Sequence, residues 1–234
     1  MLQVKDLYVA YGQSEALHGI SFESNANETV AIMGRNGMGK TTLFKSLMGV
    51  LPTKSGQVTV AGQDVTRDES YRRVAKGIAY VPQGRMIFPT LTVEENIETG
   101  LENAPVKKIP EEIYALFPVL WDMRRRKGGN LSGGQQQRVA IARMLMQRPR
   151  FILADEPDAS LDPQSGEDVM RLLLDLVRQE GLTLVVISHR LEHTLGYSDR
   201  ILGLSQGRIS LDTATRQADA ASLRHFFDHE GSTP

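Results

Sequence analysis

The glycine-rich segment GRNGMGKTT, residues 34–42, carries residue types that hold phosphate groups. It fits the pattern G-x-x-x-x-G-K-[ST] and lies between a predicted buried strand, TVAIMG, and a predicted helix that begins at Lys40. Glycines let backbone N–H groups surround phosphate oxygens, Lys40 can reach the β and γ phosphates, and Thr41 can ligate Mg²⁺. We therefore predict nucleotide contacts from Gly34, Arg35, Asn36, Gly37, Gly39, Lys40, Thr41 and Thr42.

Four carboxylates follow the apolar run FIL, at Asp155, Glu156, Asp158 and Asp162. Asp155 ends a predicted buried strand, where a carboxylate can hold the water shell of Mg²⁺ opposite the Thr41 hydroxyl. Glu156 is expected to point to a different side and to polarise an attacking water, and Asp162 to cap the next helix. The third and fifth positions from Asp155 are proline and alanine, which excludes a calcium loop. The phosphate loop alone leaves kinases, GTPases and many ATPases open, and these acids supply a second nucleotide feature.

A second glycine-rich helix start is predicted at LSGGQ, residues 131–135. Ser132 is a good helix cap, and Gly133 and Gly134 allow a phosphate to approach the backbone. The chain would then have two phosphate-binding helix ends, separated by about ninety residues, and a monomer with one ATP has no evident use for both. We therefore predict a composite nucleotide site to which both subunits of a dimer contribute. Taken alone, the motif would be read as a capped helix with a flexible entry.

Together these motifs make the chain resemble the nucleotide-binding subunit of an ABC transporter. The resemblance implies that Tyr11 stacks on adenine, that Gln83 in VPQG contacts Mg²⁺ and the reacting groups, and that residues 160–162 face a partner subunit. It also implies that ATP lies between the phosphate loop of one chain and the signature residues of the other, which are Ser132, Gly133, Gly134 and Gln135.

His189 follows the buried run LVVIS and matches the switch histidine of that family. It can hydrogen-bond a γ-phosphate or orient the attacking water. A lone histidine is more often structural or merely exposed. His189 and His193 also have helical spacing, but a zinc site is disfavoured because the chain lacks cysteine and an evident third ligand.

Alternating strand and helix signals predict an α/β fold. With the resemblance, we expect a P-loop NTPase with a RecA-like, mainly parallel core and helices on both faces. An N-terminal antiparallel β subdomain precedes the core, a helical subdomain at about residues 84–147 is inserted in it, and a polar, alanine-rich helix ends the chain. Residues 1–234 would form a single ABC nucleotide-binding domain. In the family, the region after Gln83 lines a groove for a cytoplasmic helix of the membrane subunit.

Composition limits the remaining classes of function. The 234 residues have a formal net charge of −1, 41% hydrophobic residues and no cysteine. These values favour a globular core and exclude disulfides and thiolate sites, and they give no overall field that would gather nucleic acid. No apolar window approaches the length of a membrane span, and no secretory signal is recognised. We expect a cytoplasmic protein, held peripherally at the inner face of the membrane through permease subunits.

The two halves of the chain resemble different ABC subgroups. SEALHGISF and YVPQGRMIFPTLTVEENI are similar to ATPases of urea and branched-chain amino-acid importers, whereas ADEPDASLDPQSG and LSGGQQQRVAIAR are more like phosphonate- or lipoprotein-type ATPases. Asp158 stands where threonine is usual. We expect import of a small polar solute, with a second ATPase subunit, identical or different, and indirectly a solute-binding protein as partners. The alternatives are an exporter or lipoprotein-release ATPase, a soluble ABC ATPase, and a small-molecule P-loop kinase.

Overall fold

The structure is a computed structural model, which describes residues 1–84, 86–102, 108–221 and 223–224. The predicted C-terminal helix lies largely outside these residues. The side chain of His193 is outside the description as well, so the zinc alternative stays a prediction.

The described residues form ten strands and eight α-helices. The strands are β1 (Leu2–Tyr11), β2 (Ser14–Ser24), β3 (Thr29–Met33), β4 (Ser55–Val60), β5 (Gln63–Asp64), β6 (Ile78–Val81), β7 (Phe151–Asp155), β8 (Thr183–Ile187), β9 (Arg200–Ser205) and β10 (Arg208–Ala214). The helices are α1 (Lys40–Leu47), α2 (Ser70–Ala75), α3 (Val93–Glu98), α4 (Glu111–Leu116), α5 (Pro118–Asp122), α6 (Gly133–Leu145), α7 (Pro163–Gln179) and α8 (Leu191–Tyr197).

These strands make two sheets. An antiparallel sheet has the order β2-β1-β4-β5, and a larger sheet has the order β10-β9-β3-β8-β7-β6. In the larger sheet the neighbours from β9 to β6 pair in parallel, and the edge strand β10 pairs with β9 in antiparallel fashion. The predicted α/β fold, with a mainly parallel core and an N-terminal antiparallel sheet, is therefore confirmed.

The parallel sheet is buried on both faces, which is why its strands read as continuous apolar runs. Successive side chains of a strand point to opposite faces. Val30 and Ile32 pack into a cluster with α1 and the antiparallel sheet, whereas Ala31 and Met33 pack into a cluster with α6 and α7. Helices therefore lie on both faces, α1 on one and α6 and α7 on the other, and the apolar rows of β1, β2 and β4 complete the cover of the face on which α1 packs.

Helices α3 to α6 occupy the segment predicted to be helical, but the first of them begins at Val93. The preceding stretch, residues 86–92, is an irregular loop fixed by the buried side chain of Asn96. The Phe88 N–H donates to Asn96 Oδ1 at 2.7 Å, and Asn96 Nδ2 donates to the Phe88 carbonyl at 2.9 Å. Helix α6 packs against α3 and α7 and so joins this segment to the core. Within the described residues, every helix is too short or too polar to traverse a lipid bilayer.

Candidate nucleotide-binding and hydrolytic site

The predicted reacting residues lie at one edge of the parallel sheet. The phosphate loop follows β3, Gln83 follows β6, Asp155 ends β7, and His189 follows β8. The carboxyl ends of parallel strands meet at the same edge, where ligands bind in open α/β folds. The strand order β3-β8-β7-β6 therefore brings these residues together, although they are far apart in sequence.

The phosphate loop depends on glycine at two positions. A Cβ on Gly34 would lie 2.3 Å from the Leu204 carbonyl oxygen, which leaves no room for a side chain. Gly39 precedes α1 with φ of 100°, in the left-handed region, and no side chain caps that helix. The first turn of α1 therefore begins without a side-chain acceptor for its N–H groups, and such a helix start binds phosphate readily.

Lys40 crosses this loop from the first position of α1. Its Nζ donates to the carbonyl oxygens of Gly34 at 2.7 Å and Arg35 at 2.9 Å. Burial lowers the pKa of Lys40 from its ordinary value, while the nearby Glu156 and Asp155 carboxylates act in the opposite direction. A buried cation at the base of a phosphate loop is the charge that a nucleotide polyphosphate requires.

Asp155 is fully buried at the end of β7. The Tyr80 hydroxyl donates to its Oδ2 at 3.1 Å, and its Oδ1 accepts no hydrogen bond from the described residues. Burial raises the pKa of Asp155, and the neighbouring Thr41 and Tyr80 hydroxyls oppose that shift. An unpartnered buried carboxylate oxygen costs about 1–3 kcal/mol or more. Together with the Thr41 hydroxyl, it supplies the oxygen ligands that Mg²⁺ prefers, so the residues fit this ion.

The described residues contain no group of three or more histidines or acids placed to hold a metal. Proteins usually bind Mg²⁺ through one or two carboxylates together with substrate phosphates, and Asp155 is a buried carboxylate of this kind.

Glu156 joins the other two predicted reacting residues. Gln83 Nε2 donates to its Oε2 at 2.9 Å, and His189 Nε2 lies 2.5 Å from its Oε1. Glu156 has φ of 49°, a conformation that costs energy in a non-glycine residue and turns its side chain away from the course of β7. Gln83, Glu156 and His189 thus form one hydrogen-bonded group.

A cleft of about 910 Å³ opens over the phosphate loop. Ten of the predicted site residues line it: Tyr11, Asn36, Gly37, Gly39, Lys40, Thr41, Thr42, Gln83, Glu156 and His189. Gly34 and Arg35 do not line the cleft, but their carbonyl oxygens accept hydrogen bonds from Lys40, and Asp155 is fully buried. Tyr11 is exposed, and its hydroxyl is 3.4 Å from Thr42 Oγ1, so its ring stands beside the loop as base stacking requires.

Several contributors were missed by the sequence analysis. Tyr80 gave no signal because it lies inside an apolar strand. The turn at Gln206 and Gly207, which joins β9 to β10, also supports the phosphate loop. The Gly207 N–H donates to the Met38 carbonyl at 3.2 Å, and the Gln206 N–H donates to Met38 Sδ at 3.2 Å. Glu15, Ala16 and His18 of β2 also line the cleft.

The predicted signature and the dimer-facing acid lie elsewhere. Ser132 and Gln135 form a capping box at the start of α6, in which the Gln135 N–H donates to Ser132 Oγ and the Ser132 N–H donates to Gln135 Oε1. A Cβ on Gly134 would lie 3.3 Å from Ser165 Cβ on α7, which Asp162 caps. Neither Asp162 nor residues 132–135 line the cleft. Their contact with nucleotide stays a prediction.

Comparison with known proteins agrees with a nucleotide-binding site at this edge of the sheet. The sequence profile described as "ABC transporter" matches residues 17–159. The chain is 34% identical to the high-affinity branched-chain amino acid transport ATP-binding protein BraG of Pseudomonas aeruginosa, over 89% of this chain and 91% of that protein. It is 37% identical to the phosphonates import ATP-binding protein PhnC of Frankia casuarinae, over 89% of this chain and 88% of that protein.

Solved structures with the same fold are similar over nearly the whole chain. One is a dimeric ATP-binding cassette in a post-hydrolysis state bound to ADP and phosphate, with a TM-score of 0.81, 29% identity, and coverage of 93% of this chain and 100% of that one. Another is a nucleotide-free ATP-binding cassette from an ABC transporter, with a TM-score of 0.84, 26% identity, and coverage of 100% and 99%. The resemblance to ABC transporter ATP-binding subunits that was inferred from the motifs is therefore confirmed, whereas the assignment of the two halves to different subgroups stays a prediction.

Proposed function

We propose that this chain, which belongs to the ABC transporter family and is an ATP-hydrolysing subunit of a transporter, powers the import of a small polar solute. Similar relatives are named for branched-chain amino acid transport and for phosphonates import. These names support an importer of a branched-chain amino acid, a phosphonate or a similar small polar solute. Urea is included because the N-terminal motifs resemble those of urea importers.

The observation that carries the hydrolytic mechanism is the Glu156 carboxylate held between Gln83 and His189 at the wall of the cleft. The phosphate loop and Lys40 bind the β and γ phosphates of ATP. Glu156 accepts a proton from the attacking water while the water oxygen forms its bond to the γ-phosphorus. The bond from that phosphorus to the β–γ bridging oxygen breaks, which leaves ADP and phosphate.

The roles of the surrounding residues follow from their contacts. Thr41 and Asp155, with the side-chain oxygen of Gln83, would hold Mg²⁺, which when bound neutralises charge on the phosphate oxygens. His189 orients Glu156 and the water through its hydrogen bond to the carboxylate. Tyr11 carries the adenine by stacking.

A second subunit would complete the site. The helix start at Ser132 and the loop that ends at Asp162 lie away from the cleft of their own chain, so they are available to a partner's nucleotide. We infer that two ATPase subunits, identical or different, close around two ATP molecules.

Coupling to permease subunits would occur next to Gln83. Met86 and Phe88 expose apolar side chains there, and Arg143 holds the loop by donating to the Met86 carbonyl at 2.9 Å. A cytoplasmic helix of a permease would place the chain peripherally at the inner face of the membrane. A solute-binding protein would act through the permease, and the proposed function includes no nucleic acid.

The mechanism is tested by Glu156→Gln. ATP hydrolysis should fall by about 10²- to 10⁴-fold, whereas ATP binding should persist. Glu15→Gln is the matched control, because Glu15 lines the same cleft but contacts neither Gln83 nor His189. Near-normal turnover in Glu156→Gln would remove the proposed role of Glu156.

The solute is tested with the chain purified together with its permease subunits and reconstituted in vesicles. Addition of the transported solute and its binding protein should stimulate ATP hydrolysis. Branched-chain amino acids, urea and phosphonates are compared at equal concentration. Stimulation by an exported lipid-linked substrate, with none by these solutes, would contradict import.

A further inference from the structure

Asp158 is the acid that the proposed mechanism does not use. Its Oδ2 lies 3.7 Å from Nη1 of Arg190, and the two side chains are 15% and 39% exposed. Asp158 stands two residues after Glu156, and Arg190 follows His189 directly. This ion pair therefore joins the two loops whose side chains meet at the hydrolytic carboxylate.

Arg190 is fixed through its backbone as well as through its side chain. Its N–H donates to Ser188 Oγ at 3.1 Å, and its carbonyl accepts hydrogen bonds at 2.9 Å from both the N–H and the hydroxyl of Thr194. Residue 190 is thus held at the start of α8. His189, one residue before it, makes its side-chain contact with Glu156.

The packing around the pair leaves space for both side chains. A Cβ on Gly166 of α7 would lie 3.3 Å from Asp158 Cβ and 3.9 Å from Arg190 Nη1. The first distance is tighter than an ordinary contact, so the absence of a side chain at residue 166 lets Asp158 sit against the helix and reach Arg190. The pair accordingly bridges three segments: the loop after β7, helix α7 and the loop after β8.

We propose that the Asp158–Arg190 ion pair is a positioning element that holds His189 against Glu156. Asp158 fixes the guanidinium of Arg190, and Arg190 fixes the peptide that carries His189. This inference rests on the proposed roles of Glu156 and His189. A partly exposed ion pair adds little to global stability, whereas a displacement of about 1 Å at a reacting group can lower a rate by about 10²-fold. The effect should therefore be seen in turnover rather than in unfolding.

The test uses Asp158→Asn, Arg190→Gln and the double variant, with Arg190→Lys as the conservative substitution. Each of the two single variants should lower kcat by about tenfold, with KM for ATP changed less than twofold. The double variant should be no slower than either single variant, because all three lose the same contact. Arg190→Lys should recover most of the turnover.

Arg171→Gln is the control, since it breaks the Arg171–Glu167 ion pair on the outer side of α7, where the side chains are 64% and 51% exposed. It should leave kcat and KM unchanged. If the kcat loss of the Asp158–Arg190 double variant equalled the product of the two single losses, the positioning role would be wrong. A change in KM alone would overturn it as well.

A His189→Ala background separates this inference from the mechanism on which it rests. If His189→Ala greatly lowers hydrolysis and Asp158→Asn adds no further loss, the pair acts through His189. If Asp158→Asn lowers hydrolysis by the same factor with His189 present and in the His189→Ala background, the positioning role is wrong while the role of His189 stands. The same conclusion follows if Asp158→Asn lowers hydrolysis in neither. If His189→Ala itself hydrolyses ATP normally, the proposed role of His189 fails first.

Discussion

Two glycine-rich helix starts in this molecule are both predicted to bind phosphate, but they are capped differently. Helix α1 begins after Gly39, which is in the left-handed conformation and offers no side-chain cap. Helix α6 begins after Ser132, whose side chain and that of Gln135 satisfy each other's backbone N–H groups. The start of α1 leaves its N–H groups to a ligand, whereas at α6 the N–H groups of Ser132 and Gln135 are satisfied within the chain.

This difference in capping suggests different roles in nucleotide binding for the starts of α1 and α6. At α1 the loop, the buried Lys40 and the supporting turn at Gly207 all belong to one chain, so nucleotide can bind without a partner. At α6 the capping box stabilises the helix in the single chain. In the proposed dimer, a phosphate that approaches α6 would compete with the Ser132–Gln135 pair, so we expect this contact to form late, when the two subunits close.

Of the effects that distinguish the two helix starts, the largest is expected on ATP affinity. Lys40→Ala removes charge-assisted hydrogen bonds to the nucleotide phosphates worth roughly 1.5–3 kcal/mol, which corresponds to about a 10- to 150-fold weaker Kd for ATP. Ser132→Ala should leave the Kd of the isolated chain unchanged, because Ser132 does not line its cleft. Both Kd values are measured with a fluorescent ATP analogue at protein concentrations too low for dimer formation. Equal weakening in the two variants would mean that the helix starts do not differ as described.

The next effect concerns the free energy of unfolding. Gly39→Ala places a Cβ 2.7 Å from Leu17 Cδ2 in a left-handed residue and should destabilise the chain by about 1–3 kcal/mol. Gly134→Ala should stay within about 1 kcal/mol of the unchanged protein, because gained helix propensity offsets a tight contact with Ser165. Urea unfolding measures both. A larger loss in Gly134→Ala would show that the second helix start is the strained one.

The sequence predicted the α1 start well because its signal is local. A buried strand, glycines at the required spacing and a lysine at the first helical position lie in one short segment. Asp155, Glu156 and His189 were placed at strand ends for the same reason, and parallel pairing then brought them to one edge. Spacing alone could also place Ser132 at a helix start.

What the sequence could not predict comes from neighbours in space. Tyr80 reaches Asp155 because β6 pairs with β7, and the turn at Gln206 supports the phosphate loop because β9 lies beside β3. The antiparallel sheet shares one face of the core with α1 because its apolar rows fit there, and the sequence of a single strand does not indicate this packing. The Asp158–Arg190 pair likewise depends on the meeting of two loops.

A smaller effect isolates the cap of α6. Ser132→Ala should lower the free energy of unfolding by about 1 kcal/mol, and Ser132→Thr should retain most of it, since threonine also caps helices. Thermal and urea unfolding of the two variants give the difference. If Ser132→Ala were as stable as the unchanged protein, the capping box would not close this helix start.

The smallest effect is expected on the melting temperature, at the start of α7, which is a third helix start with a different cap. Hydrogen bonds from Ser165 lower the pKa of Asp162 below its ordinary value of 3.8. The ionised side chain therefore stabilises the folded chain above that value, and the contribution is lost as the pH falls through the lower folded-state pKa. Asn keeps the cap without the charge, so the melting temperature of Asp162→Asn should be slightly lower near neutral pH, and the difference should shrink at about pH 3. Ser132 carries no charge, so the loss in Ser132→Ala should be the same at both pH values. A pH-independent difference for Asp162→Asn would show that its charge does not act at the α7 start.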